Sequence, residues 1–540
     1  MGDQGFGWLS LAPPVVAILL AIVTRRVITS LLCGVVIGGL LLEQNPWRLI
    51  VLVTESLLWP NLIEESHLRV FCFTLLMGAM VGIIHQAGGM QSVVSSLAPL
   101  ARSRRGGQFM TWLLGLIVFI DDYANCLLLG HTMRPLADRL RISREKLAYL
   151  VDSTAAPVSG LALISTWIAG EIGAIEDGFR RLGGELASVD GMEIFIRTIP
   201  YRFYVWGSLL FVVYIALSGR DFGPMYRAER RRLREDVDES SENASDSPDG
   251  ETPHGPYHWL IAVVPILVTL GMTLLLLALT GASESDVSLQ SATNWMDWVR
   301  IIGNGDSYVA LVYGSLSGLF AAITCTFCLR AIPYHRVADA AFTGARHVMP
   351  ALAILWMAWT ISQLTDDEHL GTAQFMAGLL ETTISPSLLP TIVFLLASVV
   401  AFSTGTSWGT MSLLMPLVVQ TAYHLLSQSG APFTPHDPLL LGSVGGVLAG
   451  AIFGDHCSPI SDTTVLSSQA SGCHHIAHVR TQIPYALLVA TCAVLFGTLP
   501  VGWGIPVSWL IVPVALTMWI GLRVLGRVPT AEVEEEAPAR

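Results

Sequence analysis

The sequence predicts an all-α polytopic membrane protein: about 11 transmembrane helices plus two re-entrant hairpins, arranged as an inverted repeat with helices broken at mid-membrane. Three observations carry this reading. The chain has 540 residues, of which 52% are hydrophobic and only 13% charged, and its mean hydropathy is +0.57, whereas soluble chains carry about a quarter charged residues. Apolar runs of about 18–24 residues recur, each long enough to cross a roughly 30 Å hydrocarbon layer. Arginines gather in particular short loops, and cytoplasmic loops are the ones that collect Lys and Arg.

The elements follow in order. MGDQGFGWLS has no basic region ahead of its apolar run, so the first span reads as uncleaved. Arg25 and Arg26 put the next loop inside and the N-terminus outside. Spans near 27–43 and 69–87 lead to an inside loop holding Arg102, Arg104 and Arg105. The stretch 109–131 is followed by Arg134, Arg139, Arg141, Arg144 and Lys146, which also belong inside. One span cannot have both ends on one side. A re-entrant hairpin over 109–135 can, with FIDDYAN (119–125) at its tip. Non-helical backbone at that depth is tolerated only where it is packed in protein or faces water. A broken span, 147–170, then carries VDSTAAPVSG, an acidic outer segment follows, and 200–218 returns to the cytoplasm.

Residues 220–256 run from arginines into Asp, Glu, Ser and Pro, the composition of a disordered charged linker. Spans at 258–280, 308–329 and 347–364 come next. The stretch 388–426 holds FSTGTSWGT (402–410), and its flanks TDDEHLGTAQ and SQSGAPFTPHDP contain no Lys or Arg. That suits a second hairpin entering from outside. A broken span at 439–470 and spans at 482–500 and 506–524 complete the membrane part. The expected organisation is a first repeat over 1–219, the linker, a second repeat over 257–502, an extra span within 503–526 and an acidic cytoplasmic tail, 527–540. Each half runs three spans, a hairpin, a polar-centred span and one more span. The first half makes an odd number of crossings, so the second starts on the opposite side, the device by which secondary transporters build alternating access. Ala156-Pro157-Val158-Ser159 echoes Ser458-Pro459-Ile460-Ser461 at corresponding places.

Four polar patches thus meet near mid-membrane: Asp121-Asp122-Tyr123-Ala124-Asn125, Asp152-Ser153-Thr154, Thr404-Gly405-Thr406-Ser407, and Asp455 through Thr464. Carboxylate, hydroxyl, amide and carbonyl oxygens suit a small hard cation better than a soft metal. A carboxylate there can hold a proton or a cation, and competition for one site exposed alternately to each side suffices for exchange. An uncompensated charge at mid-bilayer costs between about 2.5 and 17 kcal/mol, so such residues have a use. The candidate cation and proton ligands are Asp455, Asp462, Asp121, Asp122, Asp152, Asn125, Thr404, Thr406, Ser407, Ser458, Ser461, Thr463, Thr464 and Ser159. Sodium is expected at Asp455, Asp462, Thr406 and Ser407. One aspartate of the 121–122 pair can alternatively cap the following arm. No Lys or Arg stands at mid-span to pair with the acids or to hold an anionic cargo.

Other features point elsewhere. The 8 cysteines lie mostly in apolar runs and read as reduced. His456-Cys457 at mid-membrane and Cys473, His474, His475 and His478 near the inner surface are too far apart for one zinc site. The sequon Asn243-Ala244-Ser245 falls in the cytoplasmic linker. Intramembrane aspartyl proteases use a GxGD pattern, and here Phe453 fills the first glycine position, so an enzyme is not expected.

GDHCSPISDTT (454–464), TGTSWGT (404–410) and DDYAN (121–125) resemble the NhaC family of Na+/H+ antiporters, of the wider ion-transporter superfamily, over most of the membrane part. The resemblance implies residence in the bacterial inner membrane, coupling to a sodium or proton gradient and no cofactor beyond the transported Na+ and H+. It also implies a homodimer in the lipid bilayer, an elevator-like movement and no nucleic-acid partner. The activity expected is exchange of Na+ (or Li+) for H+. Relatives of that family also couple Na+ or H+ to small organic or amino acids, which is the alternative.

Overall fold

Helix starts in this chain are written in Ser and Asp. Side chains of Ser103, Asp121, Ser143, Asp306 and Asp437 each accept a backbone N–H of the following first turn, a cap that stabilises a helix by about 1 kcal/mol. The computed structural model describes residues 6–530, apart from 90–102, 243–258, 285–293, 376–384, 429–433 and a few isolated positions. The acid-rich part of the linker with its sequon, and the tail beyond 530, lie outside the described residues.

The first half contains α1 (Ala12–Thr24), α2 (Val27–Leu42), α3 (Glu65–Gln86), α4 (Arg104–Ile117), α5 (Asp122–Arg139), α6 (Arg144–Ser159), α7 (Ile168–Leu182) and α8 (Phe203–Ser218). The connecting helix α9 spans Gly223–Glu242. The second half contains α10 (Leu260–Glu284), α11 (Ser307–Cys328), α12 (Tyr334–Thr365), α13 (Leu389–Thr404), α14 (Ser407–Gln428), α15 (Pro438–Cys457), α16 (Asp462–Ala470), α17 (His475–Ala493) and α18 (Val507–Leu525). Among the described residues 8 helices are long and apolar enough to cross a membrane, or 9 counting the pair Gly191–Tyr201 and Phe203–Ser218, bent by 49°. That is short of the eleven expected, and one of the eight, Pro386–Thr404, is an arm of the expected second hairpin; shorter apolar helices such as Ile28–Leu42 are also present.

Both predicted hairpins have arms that fold back on one another. In the first, Asn125 Nδ2 donates to the carbonyls of Gly115 (2.8 Å) and Val118 (2.9 Å) near the tip. At the base, a Cβ on Gly107 would sit 2.3 Å from a methyl of Leu140. In the second, α14 packs on α13 and also meets the one-turn segment Pro386–Leu388 that precedes α13.

Glycine sets how closely α13 and α15 approach. Gly446, Gly450 and Gly454 recur every fourth residue on one stripe of α15. Cβ atoms there would stand 2.9, 2.3 and 2.5 Å from the carbonyl oxygens of Pro390, Phe394 and Ser398. Backbone therefore packs on backbone, as small residues permit between membrane helices. The same logic joins α3 to α12, where Gly82 and Gly344 face Ala340 and Gly78. That contact explains why α12 starts at Tyr334 rather than near 347: its early turns are docked on α3.

The buried apolar side chains form two large clusters. One gathers α7, α8, α13, α14, α15 and α17; the other gathers α1, α2, α3, α5 and α10 to α12, with Ile460 and Leu466. Each cluster draws on both halves of the chain. α6 serves both, giving Tyr149, Leu150 and Ala156 to one and Leu147, Val151 and Ala155 to the other. The helix breaks lie at this seam.

Three expectations change. The acidic segment after α6 contains two amphipathic helices, α7 and Gly191–Thr198, which bury Ile175, Phe179, Ile194 and Phe195. The linker does not begin as disordered chain: α9 buries Met225, Ala228 and Glu229. Glu229 binds the Arg104 guanidinium and accepts the Ser143 N–H at 2.7 Å, so the arginine-rich half of the segment is docked. Finally, buried cations do occur. Lys146 pairs with Asp221, and Arg202, at the start of α8, pairs with Glu171 at 2.8 Å.

Candidate functional site

The site is built from four interruptions of helix. These fall between Ile117 and Asp122, between Ser159 and Ile168, between Thr404 and Ser407, and between Cys457 and Asp462. Gly405, at φ +76°, turns the second hairpin tip in the left-handed region, and a Cβ there would lie 2.7 Å from the Ile460 carbonyl oxygen. Only glycine makes that turn and that approach without strain. Pro459 removes one backbone donor from the last break, freeing carbonyls at mid-helix.

Both tips close on the break after α15. From the second, Ser407 Oγ donates to Oδ2 of Asp455, and Ser458 Oγ donates to the Phe402 carbonyl at 2.9 Å. From the first, Tyr123 Oη donates to Oδ2 of Asp462, and the Cys126 thiol approaches the Thr463 carbonyl at 3.7 Å. The break after α6 touches both tips as well. Trp167 Nε1 donates to Asp122 Oδ1 at 3.1 Å, while its ring lies 5.3 Å from that of Trp408. Each broken helix thus meets a hairpin tip from the other half.

Asp152 anchors a second, fully buried polar cluster. Its Oδ2 accepts from Gln482 Nε2 (2.5 Å) and Thr464 Oγ1 (3.3 Å) and lies 3.3 Å from His478 Nε2. Gln482 also donates to the His456 carbonyl at 2.9 Å, and Thr464 to that of Asp455 at 3.1 Å. The two clusters are therefore joined through 455–464. Asp121, Asp122, Asp152 and Asp455 are all buried, and Asp462 is half-buried.

The predicted residues divide by what they touch. Asp121 caps α5, its Oδ1 accepting the Ala124 N–H at 2.9 Å, which is the capping role open to one member of the pair. Asp122, Asp152, Asp455, Asp462, Ser407 and Thr464 are held in the cluster by contacts between helices. Asn125 orders its tip and leaves Oδ1 without a partner; Asp152 Oδ1, Asp455 Oδ1 and the Ser159 hydroxyl are likewise buried without one. Thr404, Thr406, Ser461 and Thr463 turn their hydroxyls to local bonds: Thr404 to the Val400 carbonyl, Thr406 to the Gly409 N–H, Ser461 and Thr463 to each other. They are near the carboxylates but not bonded to them. The echo between the two halves is also inexact in place, because α6 continues through Pro157 whereas α15 ends before Pro459.

Four participants went unassigned in the sequence: Tyr123, Trp167, His478 and Gln482. Tyr123 lay inside the quoted motif. His478 and Gln482 stand four apart, hence on one face of α17, and that polar pair in a span was the available signal. Nothing local marked Trp167.

Among the described residues, the hydrogen-bond partners of the Asp122, Asp152, Asp455 and Asp462 carboxyls are hydroxyl, amide, indole and imidazole groups, not Lys or Arg. Among the described residues no group of three or more His, Cys, Asp or Glu side chains is placed to hold a metal ion by itself. Buried acids at helix breaks inside an apolar bundle suit a multi-pass membrane transporter, and the family match makes that the class. Comparison supplies the family: the profile described as "Na+/H+ antiporter family" matches residues 158–503, and the chain belongs to that family. A Haemophilus influenzae protein described only as uncharacterized is 32% identical over 505 residues, covering 92% of this chain and 91% of its own. A second protein of that organism, described as an uncharacterized Na+/H+ antiporter, is 34% identical over 169 residues, 30% of this chain and 33% of its own. The malate-2H+/Na+-lactate antiporter of Bacillus subtilis is 36% identical over 100 residues, 18% of this chain and 19% of its own.

Proposed function

We propose that this protein exchanges Na+ (or Li+) for H+ across the bacterial inner membrane by alternating access. The observation that carries this reading is the cluster of Asp122, Asp152, Asp455 and Asp462, joined to hydroxyl, amide, indole and imidazole groups and flanked by the buried, unpartnered oxygens of Asn125, Ser159, Asp152 and Asp455. Such a cluster lacks a guanidinium or ammonium partner among the described residues, and either a cation or protons balance it. Asp455 and Asp462 carry the exchanged ion, with Ser407 as a neutral ligand that yields its hydrogen bond when sodium enters. Thr406, Thr404, Ser458, Ser461 and Thr463 hold the hairpin and break in shape around it. Asp152, with His478 and Gln482, holds the second carboxylate within reach.

The two folded-back arms are re-entrant, the halves 1–219 and 257–502 form the inverted repeat, and the hairpin-bearing body moves against the rest. The N-terminus lies outside and the C-terminus inside. The working unit is a homodimer in the bilayer. A second reading keeps one specific support: the partial likeness to the malate-2H+/Na+-lactate antiporter allows a small organic acid as co-substrate. Arg202, the buried cation near the α6 break, is already matched by Glu171 and the Gly160 carbonyl at 2.5 Å, so it offers an anion little, which favours plain cation exchange.

The test uses everted vesicles from antiporter-deficient bacteria, energised to build a ΔpH. Addition of Na+ or Li+ should collapse it at some pH between about 6.5 and 9, within reach of carboxylate and proton competition. If neither does, while malate or lactate with Na+ does, the organic-acid reading replaces this one.

A further inference from the structure

Three buried side chains from separate parts of the chain meet at the end of the bundle where α8 and α18 stop and α6 and α9 begin. Lys146 Nζ, in the first turn of α6, and Tyr485 Oη, on α17, both donate to Oδ1 of Asp221, which lies between α8 and α9. Lys146 and Tyr485 are wholly buried and Asp221 nearly so. The Tyr485 ring is flanked by those of Tyr149 at 5.0 Å and Phe222 at 4.6 Å. The backbone of Asp221 exchanges hydrogen bonds of 2.8 and 2.9 Å with that of Arg527, whose side chain is exposed. The knot of Lys146, Asp221 and Tyr485 therefore lies one layer of chain below the surface.

Behind the knot a polar seam leads to the carboxylate cluster. Lys146, Tyr149 and Ser153 recur at helical spacing on one face of α6, as Gln482 and Tyr485 do on α17. The walls of the seam include Ser153, Tyr204, Ser208, His456 and Gln482. At its deep end Gln482 Nε2 donates to Asp152, and Tyr204 Oη stands 2.8 Å from His456 Nδ1. From Lys146 to Asp152 is roughly 9 Å along the helix axis. The seam leaves no room for a water molecule, yet Gln482 Oε1 in its wall and Asp152 Oδ1 next to it are buried without a partner.

Hydroxyls, an imidazole and an amide make a poor dry seal and a good lining for water, because each recovers hydrogen bonds when wet. The knot has the complementary property. A buried ion pair holds helices no better than well-packed apolar residues would, but its members regain hydration when they part. Such a plug can open where an apolar one stays shut.

We propose that Lys146, Asp221 and Tyr485 form the gate of the transport path on the side of α9, closed in this structure, and that water and the exchanged ion reach the Asp152 cluster through the seam when the knot parts. The identity of what passes rests on the exchange proposed above.

Ser208→Cys puts a thiol in the seam of the full-length protein. Its modification by a membrane-impermeant trimethylammonium methanethiosulfonate is followed in everted vesicles by peptide mass spectrometry. Adding Asp221→Asn, which leaves Lys146 without its counter-charge, should quicken modification at 208 at least about tenfold. Tyr485→Phe, which keeps the pair and loses one hydrogen bond, should quicken it less. The native Cys492, buried on α17, reports general loosening in the same digest and should not change. K146M/D221L/Y485F makes the knot apolar. It should leave position 208 as slow as in Ser208→Cys alone and cut kcat for ΔpH collapse at least about tenfold, with the sodium KM unchanged. Every variant is first required to elute as the wild type does. Modification at 208 that neither Asp221→Asn nor Tyr485→Phe quickens, a matching rise at Cys492, or full exchange through the apolar knot overturns the gate. If position 208 responds as expected while neither Na+ nor Li+ collapses ΔpH in the wild type, the gate stands and the exchange reading falls.

Discussion

Tyr123 Oη donates a hydrogen bond to Oδ2 of Asp462, tying the tip between α4 and α5 to the first turn of α16, 339 residues further along the chain. A hydrogen bond to a charged acceptor contributes about 1.5–3 kcal/mol. Tyr123→Phe should therefore reduce kcat/KM for sodium-dependent ΔpH collapse by about tenfold or more, since 1.4 kcal/mol is one decade. Tm should stay near the wild type, because the ring still packs. Unchanged exchange kinetics in this variant would remove Tyr123 from the site.

Asp455→Asn should abolish exchange while leaving a folded particle of wild-type size by light scattering. Ser407→Ala should act more mildly, raising the sodium KM without abolishing turnover, because Asp455 keeps its carboxyl group and loses one hydroxyl partner. Full activity in Asp455→Asn sinks the assignment of the exchanging carboxylate.

The exchange proposed above predicts that competition for one carboxylate cluster sets the pH response. If proton and sodium exclude one another, the apparent sodium KM should fall as pH rises, approaching about tenfold per unit where the cluster is mostly protonated. A KM independent of pH from 6.5 to 9 argues for separate sites.

Gly450→Val should lower Tm and yield. The new side chain meets the Phe394 carbonyl oxygen at 2.3 Å from its Cβ, and overpacking of this kind costs about 1–3 kcal/mol. A variant as stable as the wild type would mean α13 and α15 can part freely.

Glu229→Ala strips the Arg104 guanidinium and the Ser143 N–H of their shared acceptor. Arg104 stays partly exposed and can turn to water, so the main loss is the acceptor of the buried Ser143 N–H, about 1–3 kcal/mol, here as local opening of α9 rather than loss of the bundle. Hydrogen exchange over 221–234 should quicken, and protease should cut there sooner. Protection equal to the wild type would show that α9 is held by its apolar face.

Much of this was legible in the residues. A membrane protein was inevitable from the apolar runs, and the breaks fall where FIDDYAN, TGTSWGT and GDHCSPISDTT interrupt them, because a run of helix-compatible apolar residues is what polar and Gly/Pro clusters break. What resisted reading was amphipathic: α7, Gly191–Thr198 and the first half of α9 are charged on one face and buried on the other, and composition averages over both. Buried Arg202 and Lys146 resisted for a related reason, since only a partner brought from elsewhere in the chain makes such burial affordable.

The sequence by itself determined the class of protein, the family motifs and the acids, since hydrophobic length and local chain geometry act within a few turns of helix. Tertiary structure alone decided which acid meets which donor. Tyr123 reaches Asp462 and Gln482 reaches Asp152 because the two apolar cores interleave the halves of the chain. Contacts between residues hundreds of positions apart are set by how helices pack, and no local pattern encodes that.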